Sequence, residues 1–220
     1  MPTTTTSARL RTLALLAFAV FGWELVVTML LDGVIEGVVG PTWLRAVHWL
    51  VTAAGWTAGA LVLLRQEPWL AGAASDAIRG RGRRVAVGTV ALVVAIGVRT
   101  ALTQEWKPLA EVTRLHEDVG SSAFAVSLAA LVLYYLAETL VIVVLVGYGQ
   151  RWGTERWGRP AVPWGGLALA CTWGATHLLL QGPAGGLYAM GAAVLYGLLH
   201  LAASGRFGRS YALTCAAFLL

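Results

Sequence analysis

Long, uninterrupted apolar runs constrain this chain more than any other feature. The longest extends from Ser122 to about Tyr148. Five more run from Leu13 to Leu31, about Ala46 to Leu64, Val85 to about Leu102, Val162 to Leu180, and Leu187 to Ala203. A helix rises about 1.5 Å per residue, so about twenty apolar residues cross a bilayer core. A last run, Tyr211 to Leu220, is short for a crossing and suits a tilted or half-buried helix. The expected fold is an all-α, polytopic transmembrane bundle of about seven segments, or six if the last does not cross.

Composition agrees with that reading. Hydrophobic residues make up 58% of the 220 and charged residues 12%, about half the charged share of a soluble domain. The mean hydropathy is +0.71. Ten tryptophans suit two water–lipid interfaces. The net charge of +5 does not point to nucleic acid, because the arginines sit in short loops between apolar runs. Lys107 is the single lysine and asparagine is absent, the bias of a GC-rich genome. Cys171 and Cys215 lie in apolar runs, with no CxxC spacing and no disulfide framework.

Arg9 and Arg11 precede the first run as in a signal peptide. That run is long, carries Glu24 and lacks a small-residue cleavage site before a polar region, so it reads as a retained transmembrane helix. Residues 1–12 are expected to be a disordered cytoplasmic tail, and residues 13–220 one transmembrane helical domain. With the N-terminus in the cytoplasm, Arg9, Arg11, Arg65, Arg79, Arg81, Arg83, Arg84, Arg151, Arg156, Arg159, Arg206 and Arg209 fall inside. Arg45, Arg99, Lys107 and Arg114 fall on or toward the other side, in keeping with the positive-inside rule. Residues 104–120 are polar, and the three-residue spacing of Leu109, Val112 and Leu115 suits a short helix on the membrane surface, with a solvated loop as the alternative.

That topology places four ionisable residues at one depth. Glu24, Arg99, Glu138 and His177 all fall roughly 16–21 Å from the cytoplasmic side. Charge in hydrocarbon is costly and marks function or pairing. One reading is a single polar cluster drawn from four helices. The other is two structural pairs, Glu24 with Arg99 and Glu138 with His177, that hold helices together. Tyr134, Tyr135, Thr139, Thr172 and Thr176 are placed to complete the hydrogen bonding. His200 reads as ordinary packing near the inner surface.

Two segments carry a family resemblance. Ala137-Glu138-Thr139-Leu140-Val141-Ile142 stands where a Glu-Glu-x-x-x-Arg motif is expected, followed by Gly147 and Gln150-Arg151-Trp152-Gly153. Trp173-Gly174-Ala175-Thr176-His177 stands where Phe-x-x-x-His is expected. From about Ala129 to the C-terminus the chain resembles the CAAX protease and bacteriocin-processing family of intramembrane endopeptidases. The resemblance implies a helical bundle around an internal polar cavity, in a bacterial cytoplasmic membrane, with Glu138 and His177 as candidate catalytic residues. It departs from the family's pattern at Ala137 and Ile142, which replace a glutamate and the arginine. It departs again near Thr214 and Phe218, where a His-x-x-x-Asn motif is due.

Amide hydrolysis needs a base beside the water and a stabiliser for the oxyanion, and losing one such group costs roughly a hundredfold. The reading that follows is a catalytically degenerate relative, binding a peptide, lipid or partner protein in the cavity. An active endopeptidase using Glu138 and His177, with Glu24 and Arg99 as substitutes and Tyr134 and Thr214 in support, is the alternative. A small transporter or proton relay comes third. No cofactor is called for. Zinc is left open, since one histidine and one or two glutamates are available without any His-Glu-x-x-His. The lipid bilayer and a membrane-embedded peptide or protein are the expected partners.

Overall fold

The computed structural model describes residues 4–67 and 77–220. Among them every regular element is a helix. In chain order these are α1 (Thr4–Val26), a π-helical turn (Val27–Leu31), α2 (Asp32–Val39), α3 (Pro41–Gln66) and α4 (Arg81–Thr103). Then come α5 (Lys107–Trp157), α6 (Trp164–Leu169), a second π-helical turn (Ala170–Gly174), α7 (Ala175–Ala202) and α8 (Phe207–Leu219). Asp76, one of the loop charges, lies outside the described residues.

Five helical stretches are long and apolar enough to cross a membrane: Thr6–Val39, Pro41–Gln66, Arg81–Thr103, Lys107–Trp157 and Trp164–Ala202. The seven crossings expected from the sequence are not obtained. The fifth and sixth runs are the two limbs of one stretch that reverses at Gly182, and α8 has 13 residues, about 20 Å of helix, short for a crossing. α1 begins at Thr4, Leu10 is buried, and Arg9 bonds the Gln66 carbonyl at 3.1 Å and pairs with Glu67 at 3.0 Å.

Three of the helical stretches double back on a neighbour, each at a glycine. Gly40 has φ 78° and ψ 169°, and Gly120 and Gly182 have φ 64° and 75° with ψ near 180°. That corner of backbone space is open essentially to glycine alone. The glycine contacts show the limbs running antiparallel. A Cβ on Gly55 would strike the Trp23 ring, and one on Gly59 would strike Val20. Across the Gly182 turn, Gly186 lies on Leu178, Gly174 on Met190 and Gly166 on Gly197. Pro41 and Pro183 each restart a helix directly after the turn, where a missing N–H costs nothing.

The limb of α5 after Gly120 is the centre of the bundle. Every residue from Val141 to Gln150 is buried, which is the signature of a helix enclosed on all sides. Tyr148 reaches across to donate to the Leu63 carbonyl at 2.6 Å. α6 lies against α5 through small residues, since a Cβ on Gly165 would stand 2.1 Å from the Val146 carbonyl oxygen. Such stripes let helix backbones approach closely in lipid. Buried Gln150 fixes the connection between them, donating to the carbonyls of Pro160 (3.1 Å) and Val162 (2.9 Å) and accepting from Gly165 N–H (3.2 Å). Large apolar side chains such as Met29, Val38 and Leu179 face outward at 78–85% exposure, the surface a bilayer covers.

Candidate functional site

The close packing of α6 on α5 sets the register of everything below Gly149. It brings Trp173, in the second π-helical turn, opposite Glu138 on α5. Trp173 Nε1 donates to Glu138 Oε1 at 3.1 Å. Glu138 is only 7% exposed, so its carboxyl is inside the bundle and away from lipid. One helical turn further on, His177 Nδ1 lies 2.8 Å from the Trp173 carbonyl oxygen. A carbonyl only accepts, so Nδ1 carries the proton and Nε2 is left free in the neutral ring. The Trp173 and His177 rings sit 4.2 Å apart, centroid to centroid. One tryptophan thus holds both the acid and the imidazole, by its indole and by its backbone.

Two adjoining cavities meet at this tryptophan. One, of about 440 Å³, is lined by Arg99, Lys107, Tyr135, Glu138 and His177 among others. The second, of about 550 Å³, is lined by Glu24 and Thr176 as well as Glu138 and His177. Tyr134, Glu138, Trp173, His177 and Gln181 belong to both walls. Of the four residues that the sequence placed at one depth, Glu138 and His177 line both cavities, Arg99 the first and Glu24 the second. Neither structural pair expected from the sequence forms. Glu24 takes its hydrogen bond from Tyr134 Oη at 2.6 Å, and Arg99 Nε is buried without a hydrogen-bond partner. Thr214 is buried at 1% exposure and lines neither cavity.

Two contributors escaped the sequence reading. Lys107 was read only as a charge toward the outer side, but the Gly120 turn folds the first limb of α5 back along the second. Lys107 consequently reaches into the cavity, with Nζ 4.2 Å from the Tyr135 ring centroid, 4.1 Å from that of Phe218, and 2.6 Å from the Phe218 carbonyl oxygen. A cation between two aromatic faces is attracted to both. On the same limb Glu111 accepts from Tyr135 Oη at 3.0 Å. The helix expected near residues 104–120 does form, although Lys107 and Leu115 are buried while Leu109 stays exposed.

The second contributor is His48. Its Nδ1 donates to Asp32 Oδ1 at 2.8 Å, and its Nε2 lies 4.0 Å from Glu24 Oε1. Asp32, His48, Glu24 and Tyr134 form a line from the Gly40 turn to the cavity wall. Alternating acid and imidazole along such a line offers successive stations for a proton. By contrast, His200 shares a hydrogen bond with Ser210 at 3.0 Å inside the packed core, as its sequence context suggests.

The arrangement offers donors, acceptors and aromatic walls; Trp173 engages Glu138 through Oε1 and His177 through Nδ1, which leaves Glu138 Oε2 and His177 Nε2 to face the cavities. Among the described residues, no group of three or more His, Cys, Asp and Glu stands close enough to hold a metal ion. No family model, no curated protein and no solved structure matches the chain.

Proposed function

We propose that this chain is a multi-pass protein of the bacterial cytoplasmic membrane, with its N-terminus inside, that binds a membrane-embedded peptide segment in the paired cavities. In this reading it is a catalytically degenerate relative of the CAAX protease and bacteriocin-processing endopeptidases. The observation that carries the reading is the shared wall, where Glu138, Trp173 and His177 face an internal space large enough for a side chain and its backbone. A peptide segment supplies the N–H donors a buried carboxylate accepts, and carbonyls for Arg99. Aromatic side chains such as Tyr134 and Tyr188 give it apolar walls.

Hydrolysis fits the same wall less well. Glu138 and His177 are each held by Trp173 rather than by one another, so no water is positioned between a base and a donor by bonds seen here. Ala137, where the resemblance puts the other glutamate, is buried against the core. Phe218, near the missing third motif, brings a ring to the cavity instead of a donor.

The test uses the purified full chain in bilayer nanodiscs with a panel of membrane-anchored peptides. Retention of a peptide without any cleavage product by mass spectrometry, weakened by Glu138→Gln, is the expected result. Cleavage that disappears in Glu138→Gln would replace this proposal with the active endopeptidase.

A further inference from the structure

A second cavity system lies at the arginine-rich end of the bundle, far from Glu138. It measures about 640 Å³ and sits between α4, the end of α7 and α8. Arg81 and Arg84 enter it from the first turn of α4, and Arg206 and Arg209 from the start of α8. Thr89 and Ser204 add two hydroxyls, and among the described residues that line it there is no carboxylate.

Chain topology alone does not require this convergence. The preference for arginine on one side of a membrane fixes the face on which the arginines lie, and scattered loop positions satisfy it equally well. Here α4 packs tightly on α7, with a Cβ on Gly88 coming to 3.2 Å of the Ala202 methyl, which draws the two arginine-bearing helix starts together. Both of those starts lack an acidic residue in the first turn and a side-chain cap. Their N–H groups and the positive ends of two helix dipoles therefore add to the guanidiniums of Arg81, Arg206 and Arg209. Below the charges the wall turns apolar, with Val85, Leu92 and Leu213.

We propose that this pocket seats the phosphate headgroup of an anionic phospholipid, with the acyl chains leaving along Val85, Leu92 and Leu213. Planar guanidiniums take phosphate oxygens in pairs, and Thr89 and Ser204 donate to those that remain. The apolar lower wall distinguishes a lipid from a free phosphate ion, which has no use for it. Basic pockets between membrane helices are suited to such headgroups. The inference is independent of the peptide-binding reading, since no residue is shared between the two sites.

The experiment is native mass spectrometry of the full chain in neutral detergent, titrated with dioleoylphosphatidylglycerol or dioleoylphosphatidylcholine. The wild type is expected to retain the anionic phosphatidylglycerol selectively. Arg81→Gln with Arg209→Gln should weaken it about thirtyfold, at about 1 kcal/mol for each of the two charges removed. Arg156→Gln with Arg159→Gln removes as much charge from another loop of the same end, and should change the affinity less than about twofold. Arg81→Lys with Arg209→Lys keeps the charge and guards against a folding defect. An affinity between the wild type and the glutamine variant is expected from it, because paired contacts are lost. Equal losses in both glutamine pairs would reduce the effect to general surface charge and overturn the proposal. Displacement of the lipid by millimolar inorganic phosphate would overturn the lipid assignment in favour of a soluble anion.

Discussion

Trp173 is the residue on which the candidate site turns, and its two bonds can be separated by substitution. Trp173→Phe keeps an aromatic ring and the backbone bond to His177, but removes the indole donor from a buried carboxylate. A buried acceptor left without its donor costs about 1–3 kcal/mol. The variant should therefore unfold at lower temperature in a detergent melt followed by tryptophan fluorescence. Glu138→Gln acts in the opposite sense. Its amide oxygen still accepts from Trp173 Nε1, and the cost of burying a charge is gone, so the melting temperature should hold or rise. If Glu138→Gln melts well below the wild type, the carboxylate is a structural anchor and its place in a binding site loses its support. Sequence alone marked Glu138 and His177, because an acid and an imidazole inside apolar runs are conspicuous. It did not mark Trp173 as their common holder, since a tryptophan in a membrane helix is unremarkable until the register between two helices is known. Lys107 was missed for a related reason. Its partners Tyr135 and Phe218 are far from it in sequence, and only the reversal at Gly120 brings them to it.

At the scale of elements, the runs themselves were readable because hydrocarbon forces each to be a helix. Their boundaries were harder. Between the fifth and sixth runs the Gly182-Pro183 pair is a turn signal, and the structure puts the reversal at Gly182. The break at Gly120 was not seen as a reversal, because Val-Gly-Ser carries no proline and the helix resumes at once. The glycine conformation predicts a clear contrast. Gly182→Ala places a methyl in a region side chains avoid, at a cost of about 1–3 kcal/mol. Gly191→Ala sits in α7 with open space where the new methyl goes, and should stabilise by about 0.5–1 kcal/mol. Paired melts of the two variants are expected to move in opposite directions. A Gly182→Ala protein as stable as the wild type would mean that the limbs do not need this turn to lie antiparallel.

The whole molecule has two chemically different ends. One carries the starts of α1, α4 and α8 together with the Gly158–Pro163 connection, and is rich in arginine. The other carries the three glycine reversals, with Arg45 beside the Gly40 turn paired to Asp118 beside the Gly120 turn. α8 leaves the arginine-rich end and places Phe218 at the cavity, against Lys107 and Tyr135. The arginine bias is the ground for the proposed orientation, with that end in the cytoplasm. Single cysteines in a background lacking Cys171 and Cys215 test this directly. Arg159→Cys and Gly208→Cys stand exposed at the arginine-rich end, and Glu117→Cys stands exposed near the Gly120 turn. In intact cells a membrane-impermeant maleimide should label only Glu117→Cys, and the other two should react once the membrane is opened. The reverse pattern would put the proposed lipid pocket in the outer leaflet and the Gly40 end of the His48 line toward the cytoplasm. Labelling of Glu117→Cys and Gly208→Cys alike before opening would mean that the two ends do not lie on opposite sides of the membrane.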